Sequence, residues 1–112
     1  MPALTETEHG IQGAILEALV LHPRVAWAHR MNTGATVVEA KTGRRFIRYG
    51  FKGMADITGQ LTDGRRLEIE VKRPGKRPTG DQVAFIAAVN KAGGVAGVAC
   101  SVEDAFRIVE GR

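Results

Sequence analysis

Hydrophobic residues recur every three or four positions in the first part of the chain, from about Glu6 to Leu21. This spacing places them on one face of an α-helix. Thr5 precedes Glu8 by three residues, which is the spacing of a capping box. Because Pro23 disfavours helical backbone in the residue before it, the pattern predicts an N-terminal helix that ends near His22.

The next part of the chain has the shorter period of β-strands. Runs rich in β-branched and aromatic residues, bounded by turn-forming residues, predict five strands. These strands cover residues 25–30, 36–40, 44–49, 55–61 and 65–72. Lys41-Thr42-Gly43 predicts a hairpin turn between the second and third strands, and Thr62-Asp63-Gly64 predicts another between the fourth and fifth.

A second capping box opens the next helix. Thr79 and Gln82 have the required spacing, and the helix is predicted over residues 81–92. A strand over 95–100 and a last helix capped by Ser101 follow. A strand, a helix and a strand in succession form a βαβ crossover when the strands are parallel. We therefore predict an α/β fold with a mixed β-sheet flanked by helices.

Charged residues line one face of the strand over 65–72. Glu68, Glu70 and Lys72 alternate with apolar residues that face the other way. A solvated sheet face would account for this pattern. The strand lies between a hairpin partner and a crossover helix, however, where both faces should be covered. Carboxylates on a covered face need a counter-charge or a metal ion, because an unpaired buried charge costs on the order of several kcal/mol.

Asp56 begins the preceding strand, after a segment in which Gly53 permits a sharp change of backbone direction. Its position relative to Glu70 depends on the hairpin turn. A two-residue loop would place the two carboxylates on opposite faces of the sheet. A three-residue loop with Gly64 in the left-handed region pairs Asp56 with Glu70 and brings their Cβ atoms to about 5 Å. We predict the three-residue loop or a bulge with the same effect.

Glu8 is a further candidate carboxylate. It precedes Ile15 by seven residues, so on a helix it lies only about 20° from the direction of that apolar side chain. Its carboxylate would then point toward the sheet. A capping role at the helix N-terminus is the alternative.

Composition and charge narrow the range of partners. The 112 residues suit one globular domain and carry a net charge of +4, with eleven Lys or Arg and four acidic residues between positions 41 and 77. A basic middle third favours a polyanion such as nucleic acid.

The single cysteine excludes an internal disulfide and fits a reducing, intracellular compartment. The sequence has no membrane-spanning stretch, no zinc-site spacing and no phosphate-binding loop of the NTPase type, so we expect no membrane partner and no nucleotide cofactor.

The order and spacing of these residues resemble the PD-(D/E)xK nuclease superfamily and, more narrowly, a stand-alone VRR-NUC domain. The matching pieces are Glu8-x-x-Ile11-Gln12, Asn32-Thr33-Gly34-Ala35, Gly53-Met54-Ala55-Asp56-Ile57, Glu68-Ile69-Glu70-Val71-Lys72-Arg73-Pro74, Gln82 and Ala92-Gly93-Gly94-Val95. They extend over nearly the whole chain. One departure is Ala55, which stands where the superfamily has a proline that shapes the turn and supplies no ligand.

The resemblance implies a restriction-endonuclease-like core over residues 1–112 and a divalent-metal-dependent endonuclease acting on DNA. Mg²⁺ or Mn²⁺ would be the cofactor. Asp56, Glu70 and the carbonyl of Val71 would be metal ligands, and Glu8 would bind the ion directly or through water. Hard divalent cations held by carboxylates supply the activated water and the charge stabilisation that phosphodiester hydrolysis needs.

Three further side chains have implied or open roles. Lys72 would orient or activate the attacking water and offset phosphate charge. Gln82 would either cap its helix or contact the water or phosphate, and the resemblance favours the second. Glu68 is expected to face outward or to pair with Arg66, and we do not count it as a ligand.

The DNA backbone would be held by basic and polar side chains of the middle third. These are Asn32, Arg44, Arg45, Arg48, Lys52, Arg73, Lys76 and Arg77. Backbone contacts position DNA without reading bases. The resemblance implies branched or flapped DNA as substrate, a homodimer, and a cytoplasmic protein of bacterial or phage-like kind. A non-catalytic DNA-binding module on the same fold and an RNA nuclease are the alternatives.

Overall fold

The computed structural model describes residues 7–31, 35–41, 43–48 and 50–112. Within these ranges the chain forms three helices and six strands. In chain order they are α1 (Glu8–Leu21), β1 (Val25–Arg30), β2 (Ala35–Ala40), β3 (Gly43–Arg48), β4 (Ile57–Leu61), β5 (Arg66–Val71), α2 (Gly80–Lys91), β6 (Val95–Ala99) and α3 (Val102–Glu110). The predicted elements are all present, with bounds that differ by one or two residues.

Four of the strands form one sheet in the order β1-β4-β5-β6. The pairs β1/β4 and β4/β5 are antiparallel, and β5/β6 is parallel. The strands β2 and β3 form a separate antiparallel hairpin. Because α2 connects two parallel neighbours, β5, α2 and β6 make the predicted βαβ unit. The predicted class, an α/β fold with a mixed sheet flanked by helices, is confirmed.

The hydrophobic core lies between one face of the sheet and two helices. Ile57, Leu67, Ile69 and Val71 project from β4 and β5 and are fully buried or nearly so. They pack against buried side chains of α1 and α3, namely Ile11, Ile15, Leu19, Ala105 and Val109. Full burial of one such aliphatic side chain contributes roughly 1.5–3 kcal/mol. This core fixes which face of β5 carries the charged residues.

The second helix covers the opposite face of the sheet only in part. It packs against β5 and β6. Along β4, residues alternate between buried and half-buried, and the half-buried Thr58 and Gln60 lie on this second face. Trp27 of β1 is 43% exposed. The sheet therefore has one fully covered face and one face that stays accessible along β1 and β4.

The capping prediction for α1 is wrong. Thr7 is the N-cap, and its side chain accepts a hydrogen bond of 2.9 Å from the backbone N–H of Gly10. The helix thus begins at Glu8, and Thr5 lies outside the described residues. The sequence offers two threonines before the same acidic residue, and spacing alone does not choose between them. In the described part of the chain, no helix is long and apolar enough to cross a membrane.

Candidate functional site

The turn between β4 and β5 sets the register on which the site depends. Ile57 pairs with Ile69, and the backbone N–H of Leu61 donates to the carbonyl of Arg65 at 2.8 Å. Three residues therefore form the loop, and Gly64 has a φ of +94°. The predicted three-residue loop is confirmed. One step beyond the Ile57 pair, this register sets Asp56 opposite Glu70, so both carboxylates belong to the face away from the core.

A close contact between the 51–54 segment and α2 directs the chain into β4. Gly53 has a φ of +90°, and a Cβ at this position would lie 2.5 Å from the backbone oxygen of Asp81. The two residues before Gly53 also contact α2. Lys52 Nζ is 3.4 Å from Asp81 Oδ2, and the rings of Phe51 and Phe85 meet edge to face with their centroids 5.0 Å apart. Only glycine fits this close contact with Asp81, in agreement with the sharp change of backbone direction predicted at Gly53.

Asp56 is held between β4 and the end of β5. Its Oδ2 accepts a hydrogen bond of 2.8 Å from the backbone N–H of Val71, and its carbonyl accepts one of 2.7 Å from the N–H of Met31. The carboxylate is half-buried. These bonds orient Asp56 toward the strand end from which Glu70 and Lys72 project.

Glu70 is the most constrained ionisable group of the site. Its side chain is 2% exposed, its Oε1 accepts a hydrogen bond of 2.8 Å from Gln82 Nε2, and Lys72 Nζ lies 3.8 Å from the same oxygen. Burial, and next the charge of Asp56, raise the pKa of Glu70 to about 8. Glu70 Oε2 is buried and has no hydrogen-bond partner among the described residues. A buried polar oxygen without a partner costs about 1–3 kcal/mol. Because the pKa of about 8 keeps Glu70 protonated at neutral pH, a cation bound at this oxygen would displace that proton.

Gln82 has the capping role that the sequence left open, and it also contacts Glu70. Its Oε1 accepts from the backbone N–H of Thr79 at 2.8 Å, and the Thr79 hydroxyl accepts from the N–H of Gln82 at 3.2 Å. This is the predicted capping box. The other end of the same amide donates to Glu70. The amide thereby ties the N-terminus of α2 to the acidic site.

Lys72 and Glu8 complete the group of charges. Lys72 follows β5 directly, and its side chain is 15% exposed. Its charge lowers the pKa of Glu70, whereas the charge of Glu8 in the first turn of α1 raises it. The charges of Asp56, Lys72 and Glu8 therefore all act on Glu70. Among the described residues, Glu8 does not form a three-carboxylate group with Asp56 and Glu70. Val71 lies at the end of β5, where its N–H is bound by Asp56.

Glu68 lies on the same face as Glu70 but belongs to a different cluster. The hydroxyl of Thr58 donates to its Oε2, and Arg66 Nε lies 3.3 Å from that oxygen. The expected pairing with Arg66 is confirmed, and the outward orientation is wrong because the side chain is 1% exposed. The sequence analysis did not identify Thr58 as a partner of Glu68. The period of β4, which places Asp56, Thr58 and Gln60 on one face, is the signal that would have found it.

The basic residues are distributed over two regions. Arg73 is half-buried and Lys76 and Arg77 are exposed, in the loop that follows Lys72. Arg44 and Arg45 are exposed on β3, where Arg44 Nε lies 3.2 Å from Glu39 Oε1. Lys52 pairs with Asp81. Asn32 and the side chain of Arg48 lie outside the described residues.

Few side chains of the site could act as metal ligands. Among the described residues, no group of three or more His, Cys, Asp and Glu side chains is placed to hold a metal ion. Mg²⁺ is usually held through one or two carboxylates, with waters and substrate phosphate as the remaining ligands. Asp56 and Glu70, whose Oε2 has no partner among the described residues, are the two carboxylates that could serve such an ion. Comparison with protein-family models and with curated proteins finds no match for this sequence.

Proposed function

We propose that this protein is a divalent-metal-dependent endonuclease that hydrolyses phosphodiester bonds in DNA, with branched or flapped DNA as its substrate. One observation carries the proposal. Asp56, Glu70 and Lys72 share the strand end next to α2, and one buried oxygen of Glu70 lacks a hydrogen-bond partner among the described residues. Two carboxylates and a lysine in this arrangement match the chemical needs of metal-assisted hydrolysis.

Asp56 and Glu70 would hold Mg²⁺ or Mn²⁺, together with the carbonyl of Val71 and with Glu8 directly or through water. The ion supplies a water of lowered pKa and neutralises phosphate charge. Asp56 is oriented for this task by the N–H of Val71, and Glu70 by the amide of Gln82. Burial, and next the charge of Asp56, raise the pKa of Glu70, and a bound cation would offset both effects by favouring the ionised carboxylate.

Lys72 would act on the attacking water and on the phosphate. Its ammonium group is 3.8 Å from Glu70 Oε1 and remains partly accessible. A cation at this distance from a ligand carboxylate can hold a water in line with the phosphorus and offset negative charge as the bond breaks. Gln82 keeps Glu70 in one position and does not need to touch the substrate for that role.

The exposed loop that contains Arg73, Lys76 and Arg77 would bind the DNA backbone on the approach to Lys72. Lys52, Arg44, Arg45, Arg48 and Asn32 would extend this contact. Phosphate contacts of this kind carry no sequence information, so the shape of the DNA would select the cleavage site. A homodimer would allow two strands to be cleaved, and a cytoplasmic location would give access to DNA.

A cleavage assay tests the proposal. Linear, flapped and four-way DNA are each incubated with Mg²⁺, Mn²⁺ or EDTA, and an RNA of matched sequence is included. We expect cleavage of structured DNA with a divalent ion and none in EDTA. Asp56→Asn, Glu70→Gln and Lys72→Met should each abolish it, because members of a cooperating site are not additive.

Glu68→Gln is the matched control for Glu70→Gln. Both residues are buried carboxylates on the same face of β5, and only Glu70 belongs to the site. Cleavage by Glu68→Gln is therefore expected. DNA binding without cleavage under every ion condition would replace the proposal with a binding module, and cleavage confined to RNA would replace it with an RNA nuclease.

A further inference from the structure

Aromatic side chains lie around an arginine where α2 borders the accessible part of the sheet face. Trp27 on β1 is 43% exposed, and Phe51, ahead of β4, is 51% exposed. Phe85 of α2 packs edge to face on Phe51. Arg66, whose side chain is 62% exposed, lines both the groove that contains Trp27 and the groove that contains Phe51 and Phe85. It therefore lies between Trp27 and the phenylalanine pair. We call Trp27, Phe51, Gln60, Arg66 and Phe85 the aromatic shelf.

The two grooves of the shelf differ in chemistry. One, of about 240 Å³, is lined by Trp27, Thr58, Gln60 and Arg66, and the Trp27 indole N–H donates to Gln60 Oε1 at 3.1 Å. The other, of about 680 Å³, is lined by Phe51, Phe85 and Arg66. Each groove therefore offers an aromatic face and the exposed guanidinium of Arg66, which pairs with Glu68. The first groove adds the amide of Gln60, and the second is also lined by the ion pair of Arg65 with Asp63.

We propose that the aromatic shelf binds single-stranded nucleic acid by stacking unpaired bases on Trp27 and Phe51, with Arg66 between them. Aromatic side chains interleaved with basic ones are the means by which proteins bind unpaired strands without sequence preference. Bases inside a duplex are stacked on one another, so only the terminal pairs of a duplex offer a face to such a surface. The net charge of +4 favours a polyanion over an apolar peptide. Arg66 pairs with Glu68 through its Nε, and its side chain is still 62% exposed.

The shelf continues into the proposed catalytic site. Gln60 and Thr58 share a face of β4 with Asp56, and Gln60 is four residues from Asp56, which corresponds to about 13 Å along a strand. A single strand lying on the shelf would reach the carboxylates at its other end. The inference rests on the proposed function in its choice of partner, and it adds that the unpaired arm of a branched substrate is bound here.

Trp27 is the only tryptophan of the chain, so intrinsic fluorescence reports on the shelf directly. The protein is titrated in EDTA with oligothymidylate, with a blunt duplex of equal length, and with polyphosphate, which has charge but no bases. We expect oligothymidylate to quench the emission strongly, the duplex to quench it less, and polyphosphate to leave it nearly unchanged. Equal quenching by polyphosphate, or no quenching at saturating oligothymidylate, would overturn the proposal.

Variants are compared by the anisotropy of a labelled oligothymidylate, also in EDTA. Trp27→Ala should weaken binding about tenfold, and Trp27→Phe should retain most of the affinity because it keeps an aromatic face. Leu21→Ala is the matched control, since Leu21 is 84% exposed on α1, away from the shelf. Wild-type affinity in Trp27→Ala would contradict the proposal.

These measurements separate the shelf from the nuclease chemistry because no cleavage occurs in EDTA. A chain that binds oligothymidylate through Trp27 but cleaves no nucleic acid with Mg²⁺ or Mn²⁺ supports the shelf and contradicts the nuclease. A chain that cleaves flapped DNA equally well with Trp27 or with alanine at that position, and shows no quenching, supports the nuclease and contradicts the shelf.

Discussion

The side chain of Gln82 joins a helix terminus to Glu70. Its Nε2 donates to Glu70 Oε1 at 2.8 Å, while its own Oε1 accepts from the backbone N–H of Thr79 at 2.8 Å. The amide cannot rotate without breaking both bonds. The position of Glu70 therefore depends on the N-terminal turn of α2 as well as on β5.

This relationship predicts different effects for two substitutions in one capping box. Thr79→Ala removes only the cap and should lower the free energy of unfolding by about 1 kcal/mol with cleavage nearly unchanged. Gln82→Ala also releases Glu70 and should lower kcat with little change in DNA affinity. Chemical denaturation and single-turnover cleavage measure the two effects. Equal losses of kcat in both variants would show that helix stability alone is responsible.

The raised pKa of Glu70 predicts a pH dependence of stability in the metal-free protein. The folded pKa of about 8 is above the ordinary 4.5, so the folded state binds the proton more tightly than the unfolded chain. The stabilisation is fully present below pH 4.5 and is lost as the pH rises toward 8. Thermal melts in EDTA should show a decline over this interval that Glu70→Gln lacks, with a difference of about 5 °C or more at pH 8. If Tm depended on pH in the same way in the wild type and in Glu70→Gln, the burial of an ionisable Glu70 would be contradicted.

Gly53 provides a test of how the entry into β4 positions Asp56. Gly53→Ala places a Cβ 2.5 Å from the backbone oxygen of Asp81, in addition to the strain of a φ of +90°. Gly75→Ala has a similar φ of +85° but meets no atom within 4 Å, so it is the matched control for backbone strain alone. We expect Gly75→Ala to cost about 1 kcal/mol and Gly53→Ala to cost more and to impair cleavage. Denaturation curves and cleavage rates measure the effects. Equal effects of the two substitutions would show that the contact with Asp81 does not matter.

The basic loop after Lys72 should affect binding separately from chemistry. Neutralising Arg73, Lys76 and Arg77 should weaken binding to all DNA sequences alike. The slope of log affinity against log salt should fall by about 0.9 for each DNA phosphate that the protein no longer neutralises. Neutralising Arg107, which pairs with Glu103 and Asp104 on α3, is the control for the loss of one positive charge elsewhere, and it is compared with the Arg73, Lys76 and Arg77 variants taken singly. An unchanged slope in the triple variant would place the DNA on another surface.

Local rules predicted much of the site because its main determinants are local. The alternation along β5 identified the face of Glu70, and the length of the turn with Gly64 identified the partner of that residue on β4. Thr79 and Gln82 indicated the start of α2 by spacing alone. In each case the deciding interaction joins residues within a hairpin or a single helical turn.

The remaining features depend on tertiary packing. The second bond of Gln82 needs the distance between α2 and β5, which no pattern supplies. The aromatic shelf unites Trp27, Phe51 and Phe85 from three separate parts of the chain, so no window of the sequence contains it. The burial of Glu68 depends on Thr58 and Arg66 meeting at one carboxylate oxygen.

The central claim is that Asp56 and Glu70 form a divalent-cation site, and thermal melting with and without Mg²⁺ or Mn²⁺ tests it most directly. An ion that binds only the folded state stabilises the protein and so raises Tm. At an ion concentration of one hundred times the dissociation constant, the stabilisation is about 2.7 kcal/mol. The account predicts such a rise for the wild type and for Glu68→Gln, and none for Glu70→Gln, whose melting temperature in EDTA at pH 8 equals or exceeds that of the wild type. A wild type that neither ion stabilises would contradict it.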